Sequence, residues 1–146
     1  MSELKLQRAV LNDRYEIKGR ISTGSYAEVF AARDRANGNV VVVKALNPQL
    51  QRIDDPTLEQ MLAANFQKEA DILTEIRHPN IVSILDRGDG EDTTGKSFSF
   101  IVLEFMAGGD LFDYCRTKPN QILGLAETLY YFKQICDGLK IGRAHV

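Results

Sequence analysis

The stretch Ile21-Ser-Thr-Gly-Ser-Tyr-Ala-Glu-Val-Phe30 decides how the rest of the chain is read, because it sets a glycine-centred turn between two β-like segments. Before it, Tyr15, Ile17 and Ile21 alternate with polar residues; after it, Ala27, Val29 and Ala31 alternate with Glu28 and Phe30. The pattern predicts strand, loop, strand. Gly24, between Thr23 and Ser25, has no Cβ to keep backbone amides away from a phosphate. On its own it fits a simple hairpin turn equally well. A dinucleotide fold would need a helix directly after the loop, and here the β-like Ala27 to Arg33 follows, so the loop reads as a hairpin lid.

Outward from this stretch, Asn37-Gly38 is a strong hairpin signal. A third strand follows as Val40-Val-Val-Val-Lys-Ala-Leu46, rich in β-branched residues and closed by Pro48. Val42 and Lys44 share one face of it, so an apolar ceiling and a cation look into the same space. From Pro56 to Arg77 the period changes. Leu62, Phe66, Glu69, Leu73 and Ile76 are spaced as one helix face, with Glu69 inside the apolar stripe. A buried acid there needs a cation, and Lys44 is the candidate; the alternative is an acid at the stripe's wet edge and a lysine that snorkels to water. His78-Pro79-Asn80 ends the helix. Ile81 to Leu85 is expected as a strand, Asp86 to Lys96 as an exposed loop with three glycines and four acids, and Phe98 to Phe105 as a fifth strand. Gly108-Gly109 breaks that strand, Asp110 caps a short helix through Arg116, and Leu125, Leu129, Phe132, Cys136 and Leu139 mark a last helix. The order ββ-β-α-ββ-α-α is α+β in class.

Composition narrows the function classes. The 146 residues carry 18 basic and 20 acidic side chains, a net charge of −2, so nucleic acid and anionic membrane are not expected partners. No apolar run approaches the ~20 residues that span a bilayer. The acid in Met1-Ser-Glu-Leu-Lys-Leu is unlike a signal peptide, which places the protein in the cytoplasm or nucleus. Cys115 and Cys136 lack metal-ligand spacing and read as reduced, buried structural thiols.

Taken together, the ordered motifs resemble the amino-terminal half of a eukaryotic protein kinase domain. Ile21 to Val29 corresponds to its glycine-rich loop, Val41-Val-Val-Lys44 to its third-strand lysine, and Glu69 to its helix-C acid. His78-Pro-Asn-Ile-Val82, Ile101-Val-Leu-Glu-Phe-Met106 and Gly108-Gly-Asp-Leu-Phe112 match the approach to the fourth strand, the hinge and the helix after it. Within the family, the hinge and Gly108 to Phe112 are most similar to serine/threonine kinases of the calcium/calmodulin-dependent and checkpoint types.

The resemblance implies an ATP site. Ser22, Thr23, Gly24, Ser25, Tyr26 and Ala27 would form its lid, Ile21 and Val29 would cover the adenine, and Val42 would be the ceiling. Lys44, paired to Glu69, would bind the α- and β-phosphates. Leu103 would be the gatekeeper, the backbone of Glu104 and Met106 would hold the adenine edge, and Asp110 would face the ribose or a basic substrate residue. Leu73 and Ile84 would stack helix C on the sheet, although core packing alone explains them equally well. ATP, magnesium and a protein substrate are the implied ligands and partner.

The sequence also departs from that family. Two of three loop glycines are replaced by Ser22 and Ala27, which stiffens the lid, and Val42 stands where alanine is usual. The His-Arg-Asp and Asp-Phe-Gly motifs do not occur, so neither a catalytic base nor a magnesium ligand is in the sequence. The domain organisation expected is a leader over 1–13, a kinase N-lobe over 14–103, a hinge over 104–108 and the start of a C-lobe over 109–140. Residues 141–146 leave the helical stripe, resemble a translated sequencing adapter, and are expected to be a non-native tail on a fragment of a full kinase. Leu125, Leu129, Phe132 and Leu139 are then left without a partner and favour aggregation. Two functions follow: the nucleotide-binding part of a serine/threonine kinase, inactive alone, or a non-catalytic kinase-like binding module. In-frame coding of the two absent motifs separates them.

Overall fold

The computed structural model describes residues 3–53 and 55–143. They form two compact units, one of the residues up to Glu75 together with Ser83–Phe105, the other of Ile76–Val82 together with the residues from Met106 onward. The expected lobe over 14–103 therefore differs in that Ile76–Val82 belongs to the second unit. Residue 54 and residues 144–146 lie outside the description, and with the last three half of the expected non-native tail. Helix continues to Arg143, so Ile141 does not end it.

The first unit is built on a six-stranded antiparallel sheet in the order β1-β2-β3-β4-β6-β5, with β1 at Val10–Leu11, β2 at Tyr15–Thr23, β3 at Ala27–Asp34, β4 at Val40–Leu46, β5 at Ile84–Glu91 and β6 at Ser97–Glu104. Asn37-Gly38 forms the β3–β4 turn as its chemistry requires: Gly38 takes φ +78°, and its amide donates to the Asp34 carbonyl at 2.7 Å. The register of β2 on β3 shifts twice, between Ile17 and Gly19 and between Arg20 and Ser22, so the strand bends as it enters the lid.

One sheet face carries the larger core. Ile17, Phe30, Ala32, Val41, Val43, Ala45, Phe98, Phe100 and Val102 are buried there with Leu4, Leu6, Leu11 and Tyr15. This corrects the reading of residues 1–13 as a leader: Leu4 and Leu6 are 1% and 2% exposed, and Val10–Leu11 adds a sixth strand to the five expected. The segment was unreadable as structure because two apolar residues on a face supplied by distant strands make no periodic pattern of their own.

The expected loop over Asp86 to Lys96 is also corrected, since β5 runs through most of it. Gly88 and Gly90 fall at inward positions of a two-residue alternation. A Cβ on Gly90 would lie 3.1 Å from the Phe98 ring and 3.2 Å from Leu11, and one on Gly88 would meet Asn12 at 2.8 Å. Glycine here allows another segment to approach closely, which in sequence looks the same as a flexible loop. Only Asp92 to Lys96 turns, with the Asp92 side chain accepting from the Thr94 and Lys96 amides.

The other sheet face carries α1, Pro56–Glu75. Pro56 starts it, and the Asp55 carboxylate accepts from the Thr57 amide at 2.8 Å, satisfying an otherwise orphaned donor. Phe66 and Ala70 are buried with Leu46 and Ile101, and Ala63, Leu73, Ile84 and Leu103 pack against them. The buried line thus passes through Ala70, leaving Glu69 one position to the side and exposed.

In the second unit, α2 spans Leu111–Arg116 and α3 spans Leu125–Arg143. The Lys118 ammonium bonds Glu127 at 3.0 Å and lies 4.5 Å from the Tyr114 ring centre, while the Tyr114 hydroxyl donates to Glu127 at 2.7 Å. Hydrogen bonds from Tyr114 and Lys118 hold the Glu127 carboxyl below its ordinary pKa. Gly138 brings α3 against the Asn80 carbonyl, which a Cβ there would approach to 3.0 Å. The α3 apolar stripe is exposed, from 58% at Leu129 to 76% at Leu125. Cys136 lies on it and is exposed, and Cys115 is half-buried, so neither is the buried thiol expected.

Candidate functional site

In the first unit, the tip of the β2–β3 hairpin, the end of β4 and one side of α1 enclose a cavity of about 400 Å³. Its roof is the lid: Ser22, Thr23, Gly24, Ser25, Tyr26, Ala27 and Val29 all line it. The Gly24 amide donates to the Ala27 carbonyl at 2.8 Å and so closes the tip, and a Cβ on Gly24 would press on that same carbonyl at 3.3 Å. The lid residues from Ile21 to Tyr26 are exposed. They can therefore meet a ligand without first breaking a packed core.

Lys44 rises from β4 into this cavity, and Glu69 reaches it from α1. Nζ donates to Oε1 at 2.8 Å, so the expected pair is formed. It is not buried: the two side chains are 31% and 48% exposed. The wet-edge alternative thus describes the depth of Glu69, for a plain geometric reason in the helix: Phe66 and Ala70 take the inward positions and Glu69 stands at the stripe's edge. Water screens such a pair, which makes it a weak staple. It leaves the ammonium orientated, partly hydrated and open to a second anion. Lys44 Nζ also sits 5.9 Å from the centre of the Phe66 ring.

The same sheet face continues beyond the cavity. Register pairs Val29 with Lys44, Ala31 with Val42, and Val42 with Leu103, so Val29, Val42, Lys44 and Leu103 form one half-buried patch. Ile21, 52% exposed, is at the lid's base on β2. Glu104 is fixed by Ser83, the residue before β5: its amide donates to the Ser83 carbonyl at 3.1 Å, and its carboxylate accepts from the Ser83 amide at 2.7 Å. Met106 and Asp110 belong to the second unit. Met106 is exposed, and Asp110 is the N-cap of α2, accepting from the Asp113 amide at 2.7 Å. Both line a cavity of about 640 Å³ within that unit, with Ile81, Tyr114 and Tyr131.

The structure adds Leu46, Leu62, Asn65 and Phe66 to the first cavity. Leu62 and Phe66 were visible as stripe positions, and their role as floor needed only the neighbouring strand. Asn65 gave no sequence signal. Among the described residues no group of three or more His, Cys, Asp or Glu is arranged to hold a metal ion. The described side chains thus do not fit a magnesium site.

Comparison with known proteins agrees with this geometry. Residues 15–142 match the family described as Protein kinase domain. The chain is 27% identical over 129 residues to NUAK family SNF1-like kinase 1 of Mus musculus, covering 88% of this chain and 18% of that protein. It is 32% identical over 123 residues to the tyrosine-protein kinase Abl of Drosophila melanogaster, covering 84% and 7%. A probable serine/threonine-protein kinase of Corynebacterium efficiens is 36% identical over 107 residues, covering 73% and 15%. The chain thus spans less than a fifth of each of these relatives. With a family match over nearly its whole length, an α+β sheet unit under a glycine lid and a lysine–glutamate pair beneath it, the chain belongs to the protein kinase domain family.

Proposed function

We propose that the chain is the ATP-binding part of a protein kinase that transfers the γ-phosphate to serine and threonine hydroxyls. The observation that carries the reading is the Lys44–Glu69 contact at 2.8 Å inside the cavity roofed by Ser22 to Ala27. A triphosphate supplies the second anion that the half-exposed ammonium can accept, and lid amides approach it where Gly24 removes the side chain. Val29, Val42 and Leu103 offer the adenine an apolar patch, and the backbone of Glu104 its polar edge. The serine/threonine class rests on the likeness of Gly108 to Phe112 to that group. The expected compartment is the cytoplasm or nucleus.

Binding is the part these residues can perform. Phosphoryl transfer needs a positioned hydroxyl and metal-held phosphates, and the sequence contains neither His-Arg-Asp nor Asp-Phe-Gly. The chain alone should bind ATP and transfer nothing to a protein substrate. Titration calorimetry with ATP tests the first half: Lys44→Met should weaken binding roughly 10- to 100-fold, the worth of a charge-assisted hydrogen bond. Equal affinity in the two proteins would remove Lys44 from the site. Radiolabelled phosphate in a protein substrate mixed with the chain, ATP and magnesium would overturn the second half.

A further inference from the structure

Glu28 lies between Ala27 and Val29 on the strand that returns from the lid, but its side chain goes to the opposite sheet face, where it is fully buried. There its Oε2 accepts from the Leu4 amide at 2.9 Å and from Asn47 Nδ2 at 2.6 Å. Its Oε1 faces Arg20 Nη2 at 2.9 Å as an ion pair. Arg20 also pairs with Glu3 at 2.8 Å and donates to the Leu4 carbonyl at 3.3 Å. Asn47, buried at the end of β4, donates its amide to the Tyr26 carbonyl at the lid tip at 2.7 Å. One carboxylate therefore ties together the amino-terminal strap, the strand entering the lid and the segment that holds its tip.

Packing the strap does not need this acid. Leu4 and Leu6 already bury themselves in the outer core, and the Asp92 carboxylate independently accepts from the Lys5 amide at 3.0 Å. A buried carboxylate is costly unless it is paired and hydrogen-bonded, so an apolar side chain at position 28 would cover the same face at lower cost. Two of its three partners, however, belong to the hairpin or hold its tip: Arg20 on β2, and Asn47, whose amide bonds the Tyr26 carbonyl. Register places Glu28 directly across from Thr23, the last residue of β2 before the tip. We infer that Glu28 is a positioning residue for the lid, and that the Glu3–Leu6 strap sets the lid's height over Lys44 through it. The ligand consequence rests on the ATP reading; the coupling of strap to lid does not.

The test uses the full chain with Glu28→Gln, with Leu4→Pro, which deletes the amide that Glu28 accepts from, and with Leu6→Ala, which damages the same core without touching Glu28. Backbone hydrogen exchange without nucleotide reads the coupling. Both Glu28→Gln and Leu4→Pro should speed exchange of the Gly24 and Asn47 amides about tenfold relative to Val43 and Val102, the scale of one hydrogen bond to a charged group. Leu6→Ala should leave that ratio unchanged. Exchange that rises uniformly through the sheet in all three, or a ratio that stays at the wild-type value, overturns the proposal. If Glu28→Gln does not fold, Leu4→Pro decides by the same ratio. ATP affinity measured on the same proteins should fall as the lid ratio rises; a changed ratio with wild-type protein that binds no ATP would leave Glu28 as the lid's anchor and remove the ATP reading instead.

Discussion

Replacing Glu69 by glutamine separates what the Lys44–Glu69 contact does for the fold from what it does for the site. A fully buried ion pair that loses one member costs about 3–5 kcal/mol, because the remaining charge is stranded away from water. Here the side chains are 31% and 48% exposed, so the ammonium left behind is hydrated and the pair falls in the class worth roughly 0–1 kcal/mol. For a sheet unit of this size, 1 kcal/mol moves the melting temperature by about 4–8 °C, which is then the upper limit expected for Glu69→Gln. A double-mutant cycle with Lys44→Met should return a coupling below about 1 kcal/mol. ATP affinity should respond differently. Glutamine can still accept from Nζ but no longer holds it by charge, so ATP binding should weaken less than in Lys44→Met. Thermal denaturation followed by circular dichroism, alongside titration calorimetry, measures both. A loss of 3 kcal/mol or more in Glu69→Gln would refute the argument, since it would require a pair shut off from water.

Three further outcomes follow from the same geometry. Burial alone would raise the Asp92 carboxyl, but hydrogen bonds from the Thr94 side chain and the Lys5, Lys96 and Thr94 amides outweigh it and hold its pKa well below the ordinary 3.8. A depressed folded pKa gives stability that is complete above the unfolded value and is lost as pH falls toward the folded one, so the stability gap between wild type and Asp92→Asn should be widest near neutrality and close below about pH 3.8; a gap independent of pH counts against this. The exposed α3 stripe should drive self-association. Changing Leu129 and Phe132 together to glutamine should raise the concentration at which light scattering appears, and an unchanged onset would clear that stripe. Asp110→Ala should cost about 1 kcal/mol of local helix stability by removing the α2 cap, read as faster exchange of the Asp113 amide with the sheet unaffected.

How much of this was legible in the sequence depends on whether a residue's partner is near it in the chain. The lid, the Asn37-Gly38 turn, the Asp110 cap and the long helix over Pro56–Glu75 are local events, and local chemistry announces each of them. The approach of Lys44 to Glu69 needed two periods read together, that of β4 and that of α1. What periodicity missed was how deep Glu69 sits, because Ala70, small and unremarkable in sequence, takes the inward place. Strand β5 was hidden for a related reason: its inward positions are glycines, whose value lies entirely in what approaches them.

Glu28 is the sharpest instance. Alternation through β3 distinguishes Ala27, Val29 and Ala31 from Glu28 and Phe30 but does not say which set faces the deeper core. The structure buries Glu28, Phe30, Ala32 and Asp34 and leaves Ala27, Val29 and Ala31 half-buried. Leu4 and Leu6, more than twenty residues earlier, cover the outer face, and the Leu4 amide helps make a buried acid tolerable there. The half-buried set is then free to line the candidate ligand site, with Val29 opposite Lys44. The amino-terminal strap therefore closes the core on one side of β3 and leaves the other side to the candidate ligand site.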